Sequence, residues 1–340
     1  MGIHYPPSLK LANLPTPIER LRAIPELPEL PNVYVKRDDL TGCELSGNKV
    51  RKLEFCMAEA AARDARAVIT CGGIQSNHAR ATAVAGARLG IRPILVLRGA
   101  EPAESDGNVL LDRLAGAEIR FISQEEWPRV NEIMEAIAGE LAATGEKAHV
   151  IPEGASYPPG VFGYIKACEE IAEAESVLGI EFETIMTAVG SGGTYAGLVY
   201  GKRIFGLEAR ILGINVLDTP ASFAARIAAI SEDFVKKYAP RYRGASWLKP
   251  IAPDEVEIAG GYEGPAYAVP TDAGLELIRR FARRTGLFLD PAYTGKAMLG
   301  LAGEAAKGRW RKSDNVLFIH TGGLFSLFPW RRELGSPGLA

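Results

Sequence analysis

Read for hydrophobic and polar spacing, the 340-residue chain alternates short, β-branched apolar runs with longer stretches of helical period. The runs VYVKRDD, ARAVITCGG, PILVLRG, EIRFIS, AHVIPEG, TIMTAVGSGG, RILGINVL and NVLFIHTGG predict strands, several of them apolar enough to be buried on both faces. Between them, KVRKLEFCMAEAAARD, NHARATAVAGARLG, YIKACEEIAEAESVLG, TYAGLVYGKRIFG, AGLELIRRFARRTG and GKAMLGLAGEAAKG carry helix-type spacing, and several stop at a glycine. Alternation of this kind predicts an α/β protein of open twisted sheets flanked by helices, with any ligand at the carboxyl ends of the strands. No repeat, low-complexity tract or Ser/Gly/Pro linker divides the chain. Its proline-rich places, YPP at Tyr157 and the stretch from Pro240 to Pro253, read as hinges or surface loops.

Composition narrows the picture. With 47% hydrophobic residues and a formal charge of −2, the chain predicts a large buried core and gives no basis for a nucleic-acid or anionic-membrane partner. The N-terminus has no signal-peptide pattern and no apolar stretch reaches membrane length, so a cytoplasmic protein is expected. Cys43, Cys56, Cys71 and Cys168 are scattered without metal spacing, as are the four histidines, so neither a disulfide framework nor a metal site is expected. A small-molecule partner is the remaining expectation.

Three strand-to-loop junctions hold candidate chemistry. In VITCGGIQSNHARATA, Gln75, Ser76 and Asn77 stand at a helix start, where free amides favour an anion such as a carboxylate. Simple helix capping by Ser76 or Asn77 is the competing reading. In IMTAVGSGGTYAGL, Gly190, Ser191, Gly192, Gly193 and Thr194 offer consecutive amides to a phosphate. This loop is not a P-loop, and Tyr195 breaks the dinucleotide pattern, which weighs against a nicotinamide-dependent oxidoreductase. The third junction, NVLFIHTGG, brings His320, which is expected to be a satisfied core residue. Upstream, LSGNKVRKLEF holds Lys49, Arg51 and Lys52. A lysine there could form an imine with the aldehyde of pyridoxal phosphate while the glycine loop holds its phosphate. An ordinary solvated cation is the alternative for Lys49 and Lys52 alike.

The segments KRDDLTGCELSGNKVRKLEF, GGIQSNHARATA, GSGGTYAG, DPAYTGKAM and HTGG occur in the order found in a family of fold-type II pyridoxal-phosphate enzymes. From about Leu14 to Leu327 the chain resembles the D-cysteine desulfhydrase and 1-aminocyclopropane-1-carboxylate (ACC) deaminase family, most closely its desulfhydrase branch. The resemblance implies a tryptophan synthase β-like fold. Residues 1–49 plus 161–340 would form a larger cofactor domain around a smaller inserted domain, 50–160, in a homodimer. It implies that Lys49 binds the cofactor covalently and exchanges the α-proton, leaving Lys52 an ordinary cation. Asn77 would bond the cofactor's phenolic oxygen, and Gln75 and Ser76 would face the substrate carboxylate. Residues 190–194 would take the phosphate, and Tyr267 and Tyr293 would line the substrate side.

Thr294 and Thr321 stand where ACC deaminases carry Glu and Leu. A carboxylate near the pyridine nitrogen keeps it protonated, whereas a hydroxyl offers a neutral hydrogen bond. Since β-elimination needs less electron withdrawal than ring opening, the expected reaction is release of sulfide, pyruvate and ammonia from D-cysteine. ACC deamination, or elimination from cysteate, chloroalanine or L-cysteine, is the alternative.

Overall fold

The computed structural model describes residues 3–335 apart from 23, 25, 26 and 28. Among the described residues, ten strands and ten α-helices follow in chain order. The strands are β1 (Ile18–Arg20), β2 (Asn32–Lys36), β3 (Ala67–Gly73), β4 (Arg92–Arg98), β5 (Glu118–Ile122), β6 (Ala148–Val150), β7 (Thr184–Val189), β8 (Arg210–Asn215), β9 (Ile258–Ala259) and β10 (Asn315–Ile319). The helices are α1 (Asn48–Ala62), α2 (Asn77–Leu89), α3 (Gly107–Leu114), α4 (Val130–Ala143), α5 (Pro158–Leu178), α6 (Gly193–Phe205), α7 (Pro220–Tyr238), α8 (Asp272–Thr285), α9 (Thr294–Ala306) and α10 (Arg331–Gly335).

Two sheets divide the strands. One is all parallel, in the order β5-β4-β3-β6, and is drawn wholly from residues between Ala67 and Val150. The other runs β1-β2-β10-β7-β8-β9 and is parallel except for β1 at its edge. Parallel sheets need cover on both faces, and the strands show it: every residue of β3 and of β7 is buried. Aromatic packing around Phe162, with Phe55, Phe234 and Tyr238, ties α1, α5 and α7 together.

Three departures from the sequence reading have local causes. The YPP stretch is not a hinge: Tyr157 caps α5, and Pro158 and Pro159 begin it, where a missing amide costs nothing. Helices α3, α4, α7 and α10 went unpredicted; α10 has five residues, and α3 and α4 each bury only a narrow stripe, Val109 and Asp112 among the buried residues of α3, and Val130, Met134 and Ile137 of α4. The three cations of the Lys49 segment are not a solvated helix face. Eleven of the fifteen residues of α1 are buried, Arg51 and Lys52 among them.

Arg51 explains how a charged helix can be buried. Its guanidinium bonds Asp38 (2.9 and 2.8 Å), Glu170 (2.7 and 2.8 Å) and Thr16 Oγ1 (2.9 Å). Lys36 reaches Glu170 at 2.7 Å and the Tyr164 hydroxyl donates to Asp38 at 2.6 Å. Burial alone would raise the Asp38 carboxyl, but Arg51 and Lys36 outweigh it and hold it below its usual range. This satisfied network fixes α1, and with it the helix start that carries Lys49.

Candidate active site

Strand ends from both sheets converge on one cavity of about 410 Å³. Asn48, Lys49, Asn77, Gly190, Ser191, Gly192, Thr194, Tyr293 and Thr321 line it, with Ala188, Val189 and Tyr195. The sequence-predicted residues Lys49, Asn77, 190–192, Thr194, Tyr293 and Thr321 therefore meet in one place, at carboxyl ends of parallel strands.

Lys49 is the second residue of α1 and is half-buried. Burial lowers its amine from 10.5 to about 8, with the distant Glu153 carboxylate opposing. Its surroundings are close: a Cβ on Gly154 would come within 3.3 Å of Lys49 Nζ and 2.3 Å of Ser191 Oγ. Gly154 also has a φ of +65°, so the turn that shapes this wall requires glycine on two counts.

Lys52, one turn further along, lies against the glycine loop instead of in solvent. Its Nζ donates to Gly154 O (2.6 Å) and Ser156 Oγ (2.9 Å). Ser156 Oγ is 2.7 Å from Ser191 Oγ and accepts from the Gly193 amide at 3.1 Å. Burial first, and the charge of Lys49 second, push the Lys52 amine well below its ordinary value. A buried amine with hydrogen bonds and no carboxylate partner favours an anion beside it. Gly192, with φ +90°, and the start of α6 at Gly193 add the backbone side of that seat. Ser156 and Lys52 were missed by sequence reasoning. The signal for Lys52 was its spacing from Lys49, which puts the two side chains on adjacent faces of one helix turn.

The remaining expected residues divide. Ser76 caps α2, its Oγ accepting from the Ala79 amide at 3.1 Å, so the capping reading holds. Asn77 accepts at Oδ1 from Asn108 (3.1 Å), which leaves its amino group for the cavity. Gln75 does not face a substrate through its side chain: it donates to Asp106 O (3.0 Å) and accepts from the Asn108 amide (2.8 Å), pinning the start of α3. Thr294 lies outside the cavity lining. Its hydroxyl donates to Asp290 Oδ1 (2.7 Å) and accepts from the Asp290 amide (2.6 Å), so it serves the turn into α9. Of the two threonines, Thr321 alone lines the cavity.

The tyrosines form a pair over the opening. Tyr293 OH donates to Tyr267 OH at 3.2 Å, with the rings 6.0 Å apart at 72°. Burial pushes Tyr267 up to about 12 and Tyr293 further, so both stay protonated donors at neutral pH. Two glycines make room for the rings. A Cβ on Gly73 would sit 2.6 Å from the Tyr267 ring, and one on Gly190 would sit 2.9 Å from that of Tyr293. Asp290 orients the second tyrosine by accepting from the amides of Ala292 (3.0 Å), Tyr293 (3.1 Å) and Thr294 (2.7 Å). His320 is a satisfied core residue, accepting from the Gly322 amide and bonded to Phe288 O. Among the described residues no cluster of His, Cys, Asp and Glu could hold a metal, and no helix is long and apolar enough to cross a membrane.

An amine of lowered pKa, an anion seat with a buried cation, and donors on both sides define a site for an aldehyde-bearing phosphate cofactor on an α/β scaffold. The chain belongs to the pyridoxal-phosphate dependent enzyme family, whose model matches residues 9–322. It is 41% identical over 96% of its length to 99% of a Thermotoga maritima protein provisionally named an ACC deaminase. It is 40% identical over 94% of its length to 79% of the Arabidopsis thaliana mitochondrial bifunctional D-cysteine desulfhydrase/ACC deaminase. The crystal structure of an ACC deaminase homologue superposes with a TM-score of 0.85 at 36% identity, covering 96% of this chain and 95% of that one. The protein is thus a pyridoxal-phosphate-dependent lyase of fold type II.

Proposed function

We propose that the protein eliminates sulfide from D-cysteine, yielding pyruvate and ammonia. The observation that carries this reading is the cavity lining: Thr321 contributes a neutral hydroxyl, and no Asp or Glu lines the space among the described residues. Bound pyridoxal phosphate supplies an electron sink conjugated to the substrate's Cα. Lys49 would hold it covalently, the 190–194 loop with Lys52 would hold its phosphate, and Asn77 and Thr321 would bond its ring.

The chain's own groups supply the rest. Nζ of Lys49, which burial lowers to about 8, would take the α-proton. The start of α2 would face the substrate carboxylate with its amides and a favourable dipole, and Ser76, which caps that start, would face it too. Tyr293, protonated and with its O–H donated to Tyr267, would line the substrate side of the cavity. Residues 1–49 with 161–340 would carry the cofactor, and 50–160 would close over it, in a homodimer.

The reading is tested by assaying pyruvate and sulfide from D-cysteine, L-cysteine and ACC side by side. Both products from D-cysteine alone support it. Keto acid from ACC without sulfide from D-cysteine would establish the second reading, ACC deamination, which the names of the Thermotoga relative and the superposed structure favour.

A further inference from the structure

Arg98 ends β4, directly paired in register with Gly73 at the end of β3. It is half-buried, and its guanidinium forms no ion pair or hydrogen bond among the described residues. Instead it stacks on two rings, 4.6 Å from the centre of Trp127 and 5.7 Å from that of Tyr267. Tyr267 lies against Gly73 and bonds Tyr293, which lines the cavity. A cation is therefore held beside the Tyr267–Tyr293 pair by aromatic faces, with no hydrogen-bond partner among the described residues.

We propose that Arg98 is a specificity-determining contact for an anionic group carried on the substrate's β-carbon. This rests on the lyase reading above and narrows it: the α2 start takes the α-carboxylate, and Arg98 takes a second negative charge, whether a sulfonate, a carboxylate or a developing thiolate. A planar guanidinium pre-set by stacking suits such oxyanions, because it loses little freedom on binding. Glu153 lies within Coulombic reach of Arg226, Arg98 and Lys49 and is ion-paired to none of them among the described residues, so it leaves the Arg98 guanidinium uncommitted. Burial pushes its carboxyl up, with the three cations opposing.

The test compares wild type, Arg98→Gln and Arg98→Lys, each loaded with pyridoxal phosphate. Aspartate, a dianion without a β-leaving group, and alanine, its neutral counterpart, are titrated against the cofactor's visible absorption, using both enantiomers. Turnover of cysteate is compared with that of the neutral β-chloroalanine. In Arg98→Gln, aspartate affinity should fall about tenfold or more and KM for cysteate should rise in step, while alanine and β-chloroalanine are little changed. Arg98→Lys should restore part of the loss. Equal changes for charged and neutral partners, or no preference for aspartate over alanine in wild type, would overturn the proposal. Failure of the lyase reading looks different: a normal cofactor band with no elimination from any β-substituted amino acid.

Discussion

Lys52 Nζ lies 2.9 Å from Ser156 Oγ, which is itself 2.7 Å from Ser191 Oγ, so a buried cation on α1 is joined through one hydroxyl to the glycine loop before α6. Lys52→Met should weaken pyridoxal phosphate binding by about 10- to 100-fold, the range of a hydrogen bond to a charged group of roughly 1.5–3 kcal/mol. Fluorescence titration of cofactor-free protein would measure it. An unchanged affinity would place the phosphate elsewhere.

Lys49 makes a second prediction, about pH. An amine attacks an aldehyde only when neutral, and burial brings Lys49 down to about 8. The rate of pyridoxal phosphate incorporation into cofactor-free protein should climb about tenfold per pH unit below that value and level off above it. Continued increase toward 10.5 would mean an unshifted lysine. Lys49→Ala should lose the visible band and at least about 100-fold in turnover, the lower end of proton-transfer catalysis.

The tyrosine pair depends on absent methyl groups. Gly73→Ala would push the Tyr267 ring, because the new Cβ would stand 2.6 Å from it. Stopped-flow turnover should fall by about 100-fold, as expected for a misplacement near 1 Å, with cofactor affinity nearly unchanged. A parallel loss of cofactor binding would instead mean that the whole cleft had moved.

Arg51 is the structural counterpart. Arg51→Met strands Asp38 in the interior, leaves Glu170 with Lys36 alone, and should cost about 3–5 kcal/mol in urea unfolding, much of it recovered by adding Asp38→Asn. The sign follows from Asp38, whose folded carboxyl lies below its ordinary 3.8. The stabilisation is present above that value and is lost as pH falls through the lower, folded one. A wild-type protein whose stability did not drop in acid would contradict the pairing.

Much of this was legible beforehand because parallel strands buried on both faces write themselves as unbroken apolar runs, and because glycine loops sit at their ends. The cavity's Asn77, Thr194 and Thr321 all fall at such junctions, and Lys49 falls at a loop-to-helix junction just after a glycine. What escaped was the direction of side chains. Nothing in RKLEF distinguishes a solvated Lys52 from one drawn inward by a serine 104 residues away. Likewise, the Thr294 hydroxyl is spent on Asp290, four positions earlier, and Gln75 on a helix start thirty-three residues on. The partners of Lys52 and Gln75 are tertiary and no local pattern announces them, while Asp290 is a local partner whose hold on Thr294 was overlooked.

Gly47 and Gly322 touch back to back. A Cβ on Gly322 would stand 2.7 Å from Gly47 Cα, and one on Gly47 would stand 2.8 Å from Thr321 O. The segment that introduces Lys49 and the segment that presents Thr321 are thus one joint, with both glycines at positive φ. Any heavier residue there would shift the Lys49 amine and the Thr321 hydroxyl together. Replacing the Thr321 side chain leaves the joint intact. The seam separates two kinds of heritable change: the chemistry can drift through one hydroxyl that faces the cavity, while the seat on which every variant reaction runs is locked by two missing methyls.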